Sequence, residues 1–308
     1  MGFWPKSSLV VITSAVGVAG MLVCVDLTQS YGAMLFVGVP ILMGIVCAAL
    51  CARLGIEKHR PVLLLTSCSL VGCALLLISG RLEGVICLMM ALPLALPIAL
   101  LAAWVTTMLI HAGRPSTSLT ALLLMPLLFG GTSDAELHRV ETHIEVAAPP
   151  EVVWRNVVEF PALPEPEQLI FKAGLAYPKR ARIGGMGVGA IRYCEFSTGS
   201  FVEPIQVWDE PHRLAFSVSR NPEPMIELTP YRSLHTPHLN GYFTSRKGEF
   251  LLTPLRNGHT LLTGTTWYEI RMGPSVYWRL WSDHIVHEIH LRVLEHIRAE
   301  SEGEGERR

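Results

Sequence analysis

Charged side chains are scarce in the first 133 residues. The whole chain has 25 Lys and Arg, but only six lie in this stretch, and it has 26 Asp and Glu, of which only three do. The remaining residues therefore hold 19 basic and 23 acidic side chains, which gives them a formal charge of −4. Because phosphate binding needs a basic surface, we expect no nucleic-acid partner.

Disulfide and metal signatures are also missing. Six of the seven cysteines lie in apolar runs, and Cys194 is the only thiol of the second half, so no disulfide framework can be formed there. No HExxH pattern occurs. The sequence predicts no metal and no cofactor.

Four long apolar runs fill the first half, at about Leu9 to Val25, Tyr31 to Ala52, Pro61 to Ser79 and Gly84 to Ile110. Each is near or above the roughly 20 residues that span a bilayer. No Asp, Glu, Lys or Arg lies inside them away from their ends, which argues against a transport pathway and favours an anchor.

The side of the membrane that the second half faces depends on a fifth run, Ser118 to Gly131. This run has about 14 residues, which is short for a span. The distribution of Lys and Arg predicts a cytoplasmic amino terminus. We expect the fifth run to span, which makes the C-terminal domain extracytoplasmic; a re-entrant run would make it cytoplasmic.

The second half opens with RVETHIEVAAPPEVVW (139–154), and this stretch indicates its fold. Val140, Thr142, Ile144 and Val146 alternate with polar residues, which predicts a strand, and a helix follows Pro150. This opening resembles the SRPBCC superfamily, which includes START-related and polyketide cyclase-like proteins. The resemblance covers about residues 138 to 300 and implies an α+β helix-grip domain, in which a curved antiparallel sheet wraps a long C-terminal helix.

Two further patterns support this interpretation. Short alternating runs between about Val188 and Arg271 predict an antiparallel meander, with the strongest hairpin signal at Asn257-Gly258. The run LEGVICLMMALPLALPIALL is similar to a helix of uncharacterised bacterial membrane proteins that carry this kind of domain. We therefore predict a transmembrane region of four to five helices (1–133), a helix-grip domain (134–300) and a disordered acidic tail (301–308).

The long helix predicted from about Ser275 allows the directions of its side chains to be assigned. At 100° per residue it presents one apolar face with Trp278, Trp281, Ile285 and Ile289, while Asp283 and His287 point away. His284, His287, His290 and His296 then do not converge on a metal. The candidate ligand-binding residues are Arg192, His235, His238, Tyr242, Trp267, Tyr268, Trp278, Trp281, Ile285, Ile289 and His290.

Each polar candidate has a second interpretation. His290 is either a group facing a cavity or a buried, satisfied histidine. Arg192 either anchors an anionic head group or pairs with Glu195, Glu203 or Glu269. Trp267 and Tyr268 point to opposite faces of their strand, so only one can line a cavity.

The predicted function is uptake of a lipid or other hydrophobic small molecule by a domain anchored in a bacterial inner membrane, as a carrier or sensor. The alternatives are a cyclase- or hydratase-like enzyme on the same fold, or a regulatory partner of another membrane protein. No catalytic residue is predicted.

Overall fold

The structure is a computed structural model, and it describes residues 3–27, 31–113, 136–231, 234, 236 and 239–306. Contacts divide the chain into two compact units. The helical unit comprises Met1–Asp134, Glu227–His238 and Arg271–Trp278, and the helix-grip unit comprises Ala135–Ile226, Leu239–Ile270 and Arg279–Arg308. The helical unit thus includes two segments that lie beyond residue 133 in the sequence.

Four long helices build the described part of the helical unit. They are α1 (Phe3–Leu22), α2 (Val39–Arg53), α3 (His59–Ser79) and α4 (Val85–His111). Among the described residues, four segments are long and apolar enough to cross a membrane, namely Lys6–Asp26, Met34–Arg53, His59–Ser79 and Val85–His111. These segments coincide with the four predicted runs, whereas the fifth run, Ser118 to Gly131, lies outside the described residues.

Small residues let these helices pack closely. A Cβ on Gly44 of α2 would lie 2.3 Å from the carbonyl oxygen of Ala99 on α4, a distance that no side chain tolerates. The hydroxyl groups of Thr66 and Thr107 donate to carbonyls four residues earlier in their own helices. Close backbone approach and internally satisfied hydroxyls are typical of helices packed in lipid.

The carboxylate of Glu227 caps the first turn of α4. Its oxygens accept hydrogen bonds from the backbone N–H groups of Ile86 at 3.1 Å and Cys87 at 3.3 Å. A helix amino terminus has unsatisfied N–H groups and a partial positive charge, so a carboxylate there is stabilising. A Cβ on Gly84 would lie 2.0 Å from Glu227 Oε2, so glycine leaves the room that the cap needs.

The helix-grip unit is built on one antiparallel sheet of seven strands. They are β1 (Leu137–Val146), β2 (Pro178–Gly184), β3 (Ile191–Phe196), β4 (Gly199–Asp209), β5 (Arg213–Ser217), β6 (Phe243–Pro254) and β7 (Thr260–Ile270). Their order in the sheet is β1-β7-β6-β5-β4-β3-β2. Helices α5 (Pro150–Val158) and α6 (Leu169–Lys172) lie between β1 and β2 in the chain, and α7 (Ser275–Glu306) follows β7.

The core of this unit forms between the sheet, α5 and the second half of α7. Val293, Leu294 and Ile297 of α7 are buried against Trp154 of α5 and Leu262 of β7, among others. Leu294 packs over Gly264 of β7, at an ordinary contact distance of 3.5 Å from the position of a Cβ there. The predicted helix-grip architecture is confirmed.

Strand β6 spans Phe243–Pro254 with a register shift between Ser245 and Lys247. Two local predictions were wrong. The predicted meander began at about Val188 and missed strand β2, because its sequence PKRARIG shows no apolar alternation. Helix α7 continues to Glu306, so residues 301–306 are helical and not a disordered tail; Ser301 is buried and bonded to Asn156.

Candidate ligand-binding site

The inner faces of β1 and β7 meet the first half of α7. Along β1, buried and exposed side chains alternate, so His138, Val140 and Thr142 point inward. Their partners on β7 are Tyr268, Thr266 and Gly264, respectively. The two strands therefore place two threonines, a histidine and a tyrosine on the face that α7 covers.

The two threonines and two histidines of α7 form one hydrogen-bonded group, which we call the Thr–His cluster: Thr142, Thr266, His287 and His290. Thr142 Oγ1 lies 2.8 Å from His287 Nδ1 and 3.1 Å from His290 Nδ1. Thr266 Oγ1 lies 2.7 Å from His290 Nε2. Both ring nitrogens of His290 thus have a hydroxyl partner.

The environment keeps His290 neutral. Burial, and to a lesser degree the neighbouring His287, lowers the pKa of His290 to about 4. A neutral imidazole has one N–H donor and one lone pair, and the two hydroxyls match both. Of the two interpretations, the buried and satisfied histidine describes His290, although its partners are side chains and not backbone groups.

Two predictions for α7 were wrong. His287 and Asp283 were placed on the outer face, but His287 bonds to Thr142 and Asp283 accepts a hydrogen bond from Tyr268. The helical wheel took the apolar residues as the only contact face, whereas β1 and β7 contact the side of the helix that carries Asp283, His287 and His290. Thr142 and Thr266 were not among the predicted site residues, although Thr142 stood out as a polar residue on the apolar side of its strand.

Tyr268 is the inward member of the Trp267–Tyr268 pair. Its hydroxyl donates to Asp283 Oδ1 at 2.7 Å, and Phe243 stacks on its ring with centroids 5.0 Å apart. Burial and the adjacent Asp283 raise the pKa of Tyr268. Trp267 points outward, where the ammonium group of Lys247 lies 4.3 Å from its ring centroid.

Arg192 is fully buried and already paired. Its guanidinium forms an ion pair with Glu203 and donates to the carbonyl oxygen of Val158 at 3.1 Å. The rings of Phe160, Phe216 and Phe250 surround it, with centroids 5.5, 5.5 and 5.6 Å from its Cζ.

Of the alternatives for Arg192, the structure shows the pair with Glu203. The other two candidate partners are bonded elsewhere, Glu195 to Arg180 and Glu269 to Arg246. Burial raises the pKa of Glu203, although the charge of Arg192 acts in the opposite direction.

The remaining predicted residues separate into three groups. Trp281, Ile285, Ile289 and Tyr242 are partly exposed in the helix-grip unit or its adjoining loop. Trp278 belongs to the helical unit, where its ring packs edge-on against Phe36. His235 and His238 lie outside the described residues.

Neither a reactive thiol nor a metal centre is evident in this unit. Burial, followed by the nearby Glu203, raises the pKa of Cys194 to about 12, so its thiol is protonated at pH 7. Within the described residues, no group of three or more His, Cys, Asp or Glu is placed to hold a metal ion.

Comparison with known proteins gives similarity of fold over about half of the chain. No family model and no curated protein matches the sequence. Norcoclaurine synthase from Thalictrum flavum is similar at 12% identity and a TM-score of 0.36, covering 56% of this chain and 98% of that one. An aromatase/cyclase from Streptomyces sp. R1128 is similar at 16% identity and a TM-score of 0.33, covering 54% and 94%.

A protein from Nitrosospira multiformis shows 20% identity and a TM-score of 0.33, covering 56% of this chain and all of its own. These structures are of the Bet v 1-like, SRPBCC kind that the sequence resembles. Similarity at this level does not assign a function.

Proposed function

We propose that the helix-grip unit binds a lipid or another hydrophobic small molecule on the apolar face of the first half of α7. The protein then acts as a membrane-anchored carrier or sensor. Trp281, Ile285 and Ile289 supply the apolar contact.

One observation carries this proposal. Trp281, Ile285, Ile289, Val293 and Ile297 recur every four residues, so successive members lie about 40° apart and form an apolar stripe that winds around α7. The last two are buried in the core, whereas the first three are partly exposed. An apolar stripe that is fully covered at one end and incompletely covered at the other is what a site for an apolar ligand requires.

Membrane anchoring is the second part of the proposal. It rests on the four segments that are long and apolar enough to span a bilayer. A binding domain held next to a bilayer meets lipid at a high effective concentration. We propose a bacterial inner membrane, a cytoplasmic amino terminus and an extracytoplasmic C-terminal domain; a fluorescent-protein fusion at the carboxyl terminus that fluoresces would contradict the last point.

A second candidate function is catalysis of the cyclase or hydratase type. The convergence of four polar side chains in the Thr–His cluster favours it. However, both nitrogens of His290 have hydroxyl partners, and a pKa of about 4 makes it a weak base at pH 7. Binding therefore agrees better with the geometry, and His287 is the stronger candidate for an acid or base.

The test is native mass spectrometry with lipid extraction, on the full-length chain in nanodiscs. The wild type is expected to carry a discrete hydrophobic molecule or to take one up by exchange. Ile289→Trp places a larger side chain in the stripe and is expected to reduce binding at least tenfold.

Ile226→Trp is the matched control, because the same substitution is made at an exposed isoleucine of the same unit. If the wild type stays empty under exchange, or if Ile289→Trp binds as the wild type does, the proposed site is wrong. A molecule that is chemically altered on binding would instead support catalysis.

A further inference from the structure

The helical unit contains a cavity of its own, separate from the proposed site in the helix-grip unit. Its volume is about 130 Å³, and all four long helices contribute to its wall. Met21, Met43, Leu77 and Leu88 are representative of the lining, which is mainly aliphatic. Since an apolar cavity of about this size accommodates benzene, it is large enough for one six-membered ring.

Few polar groups line the cavity, and they differ in whether they have a hydrogen-bond partner. Tyr31 and Glu83 both line the cavity, and the tyrosine hydroxyl donates to Glu83 Oε1 at 2.9 Å. Trp278 also lines the cavity, and its side chain is 3% exposed. Its indole Nε1 has no hydrogen-bond partner among the described residues.

An indole N–H can only donate a hydrogen bond, so the partner that it lacks is an acceptor. Leaving a buried donor unbonded is unfavourable, because the donor has lost its hydrogen bonds to water. The aliphatic wall suits an apolar molecule, and an oxygen acceptor on that molecule would satisfy the indole N–H.

We propose that this cavity binds the end of a lipid-soluble molecule that is about the size of a benzene ring and carries a carbonyl oxygen, which accepts the Trp278 N–H. The site uses residues of the helical unit alone. Its test therefore does not depend on whether the helix-grip unit binds a ligand.

The experiment titrates the full-length chain in nanodiscs with acetophenone and with ethylbenzene, which replaces the carbonyl by a methylene of similar size. Methionine methyl groups labelled with carbon-13 report binding. Met43 lines the cavity, and Met186, 82% exposed in the helix-grip unit, reports nonspecific effects. Both probes are expected to shift the Met43 resonance saturably and to leave Met186 unmoved.

The carbonyl is expected to strengthen binding about fivefold, which corresponds to roughly 1 kcal/mol for one hydrogen bond. Trp278→Phe keeps a ring but removes the N–H, so it is expected to abolish this preference and to leave the dissociation constant of ethylbenzene nearly unchanged. Trp104→Phe, at an exposed tryptophan of the same unit that does not line the cavity, is the control and retains the preference.

Ala91→Leu adds volume to the cavity wall and is expected to weaken both probes. This variant tests the cavity even if Trp278→Phe does not fold. The proposal is overturned if neither probe moves Met43, if Trp278→Phe keeps the fivefold preference, or if Ala91→Leu binds both probes as the wild type does.

Discussion

Replacing Arg192 by methionine isolates the contribution of a buried ion pair to the stability of the helix-grip unit. Methionine retains most of the aliphatic volume but leaves the carboxylate of Glu203 without its counter-charge. Arg192 is 1% exposed and Glu203 is 5% exposed, so water cannot replace the lost partner without a structural change.

The expected loss is about 3–5 kcal/mol at pH 7, the usual cost of removing one partner of a buried pair. An independent argument gives a similar figure. The stranded Glu203 can avoid a buried charge by taking up a proton, and protonating a glutamate of ordinary pKa about 4.3 costs about 3.7 kcal/mol at pH 7. At pH 5 the same step costs only about 1 kcal/mol.

The sign of the pH dependence follows from this argument. In the variant the folded-state pKa of Glu203 is raised far above its unfolded value, so the variant is destabilised as the pH rises above about 4.3. The difference in unfolding free energy between wild type and variant should therefore be largest at pH 7 and shrink toward pH 5. A simple loss of packing would not change with pH.

The assay is thermal and denaturant unfolding of the full-length chain in detergent, followed by near-ultraviolet circular dichroism at pH 5, 6 and 7. The melting temperature should fall by about 6–20 °C at pH 7, since about 2–4 °C corresponds to each kcal/mol in a domain of this size. Arg182→Met is the control, because Arg182 pairs with Glu195 at the surface. Its loss should be below about 1 kcal/mol.

Removing both charges gives a further check. Replacing Arg192 by methionine and Glu203 by leucine together should recover much of the loss, because a well-packed apolar pair is often as stable as a buried ion pair. If Arg192→Met costs no more than Arg182→Met, or if its loss is the same at pH 5 and pH 7, the reasoning about the stranded carboxylate is wrong.

Two further predictions follow from the described contacts. The pKa of His290 is about 4 in the folded state and near 6.5 in the unfolded state. Its contribution to stability is therefore present above pH 6.5 and is lost as the pH falls toward 4. Over that range the free energy of unfolding of the wild type, but not of His290→Gln, should fall by up to about 3 kcal/mol. An equal pH dependence in both proteins would contradict this prediction. Glu227→Ala removes the carboxylate that caps α4. Because such a cap contributes about 1 kcal/mol, the backbone amides of Ile86 and Cys87 should exchange with deuterium roughly fivefold faster. Unchanged exchange would contradict the role of the carboxylate.

Local patterns predicted the parts of this fold that depend on neighbours in sequence. The alternation from Val140 to Val146 and the Pro150 start of α5 are correct, because one apolar face and one turn decide each of them. Strand β2 could not be predicted in this way, because its sequence has no periodic signal and its strand structure depends on antiparallel pairing with β3.

The candidate site was harder to predict, because contacts distant in sequence decide it. Thr142 and His287 are 145 residues apart in sequence, and only the packing of α7 against β1 brings them together. Arg192 had three plausible acidic partners along the chain, and cross-strand pairing on β3 and β4 selects Glu203. Spacing within one helix could therefore not show which of its histidines face the sheet.

The hydrogen bonds of the Thr–His cluster also couple the positions of its protons. The hydroxyl of Thr142 has a single proton, so if it donates to His287 Nδ1, the Nδ1–H of His290 donates to Thr142 and Thr266 donates to His290 Nε2. In the opposite arrangement all three donors and acceptors exchange roles together. His287 Nε2 then changes from a donor to an acceptor without any rotation of a side chain, so the same nitrogen can recognise a ketone in one tautomeric state and an alcohol in the other.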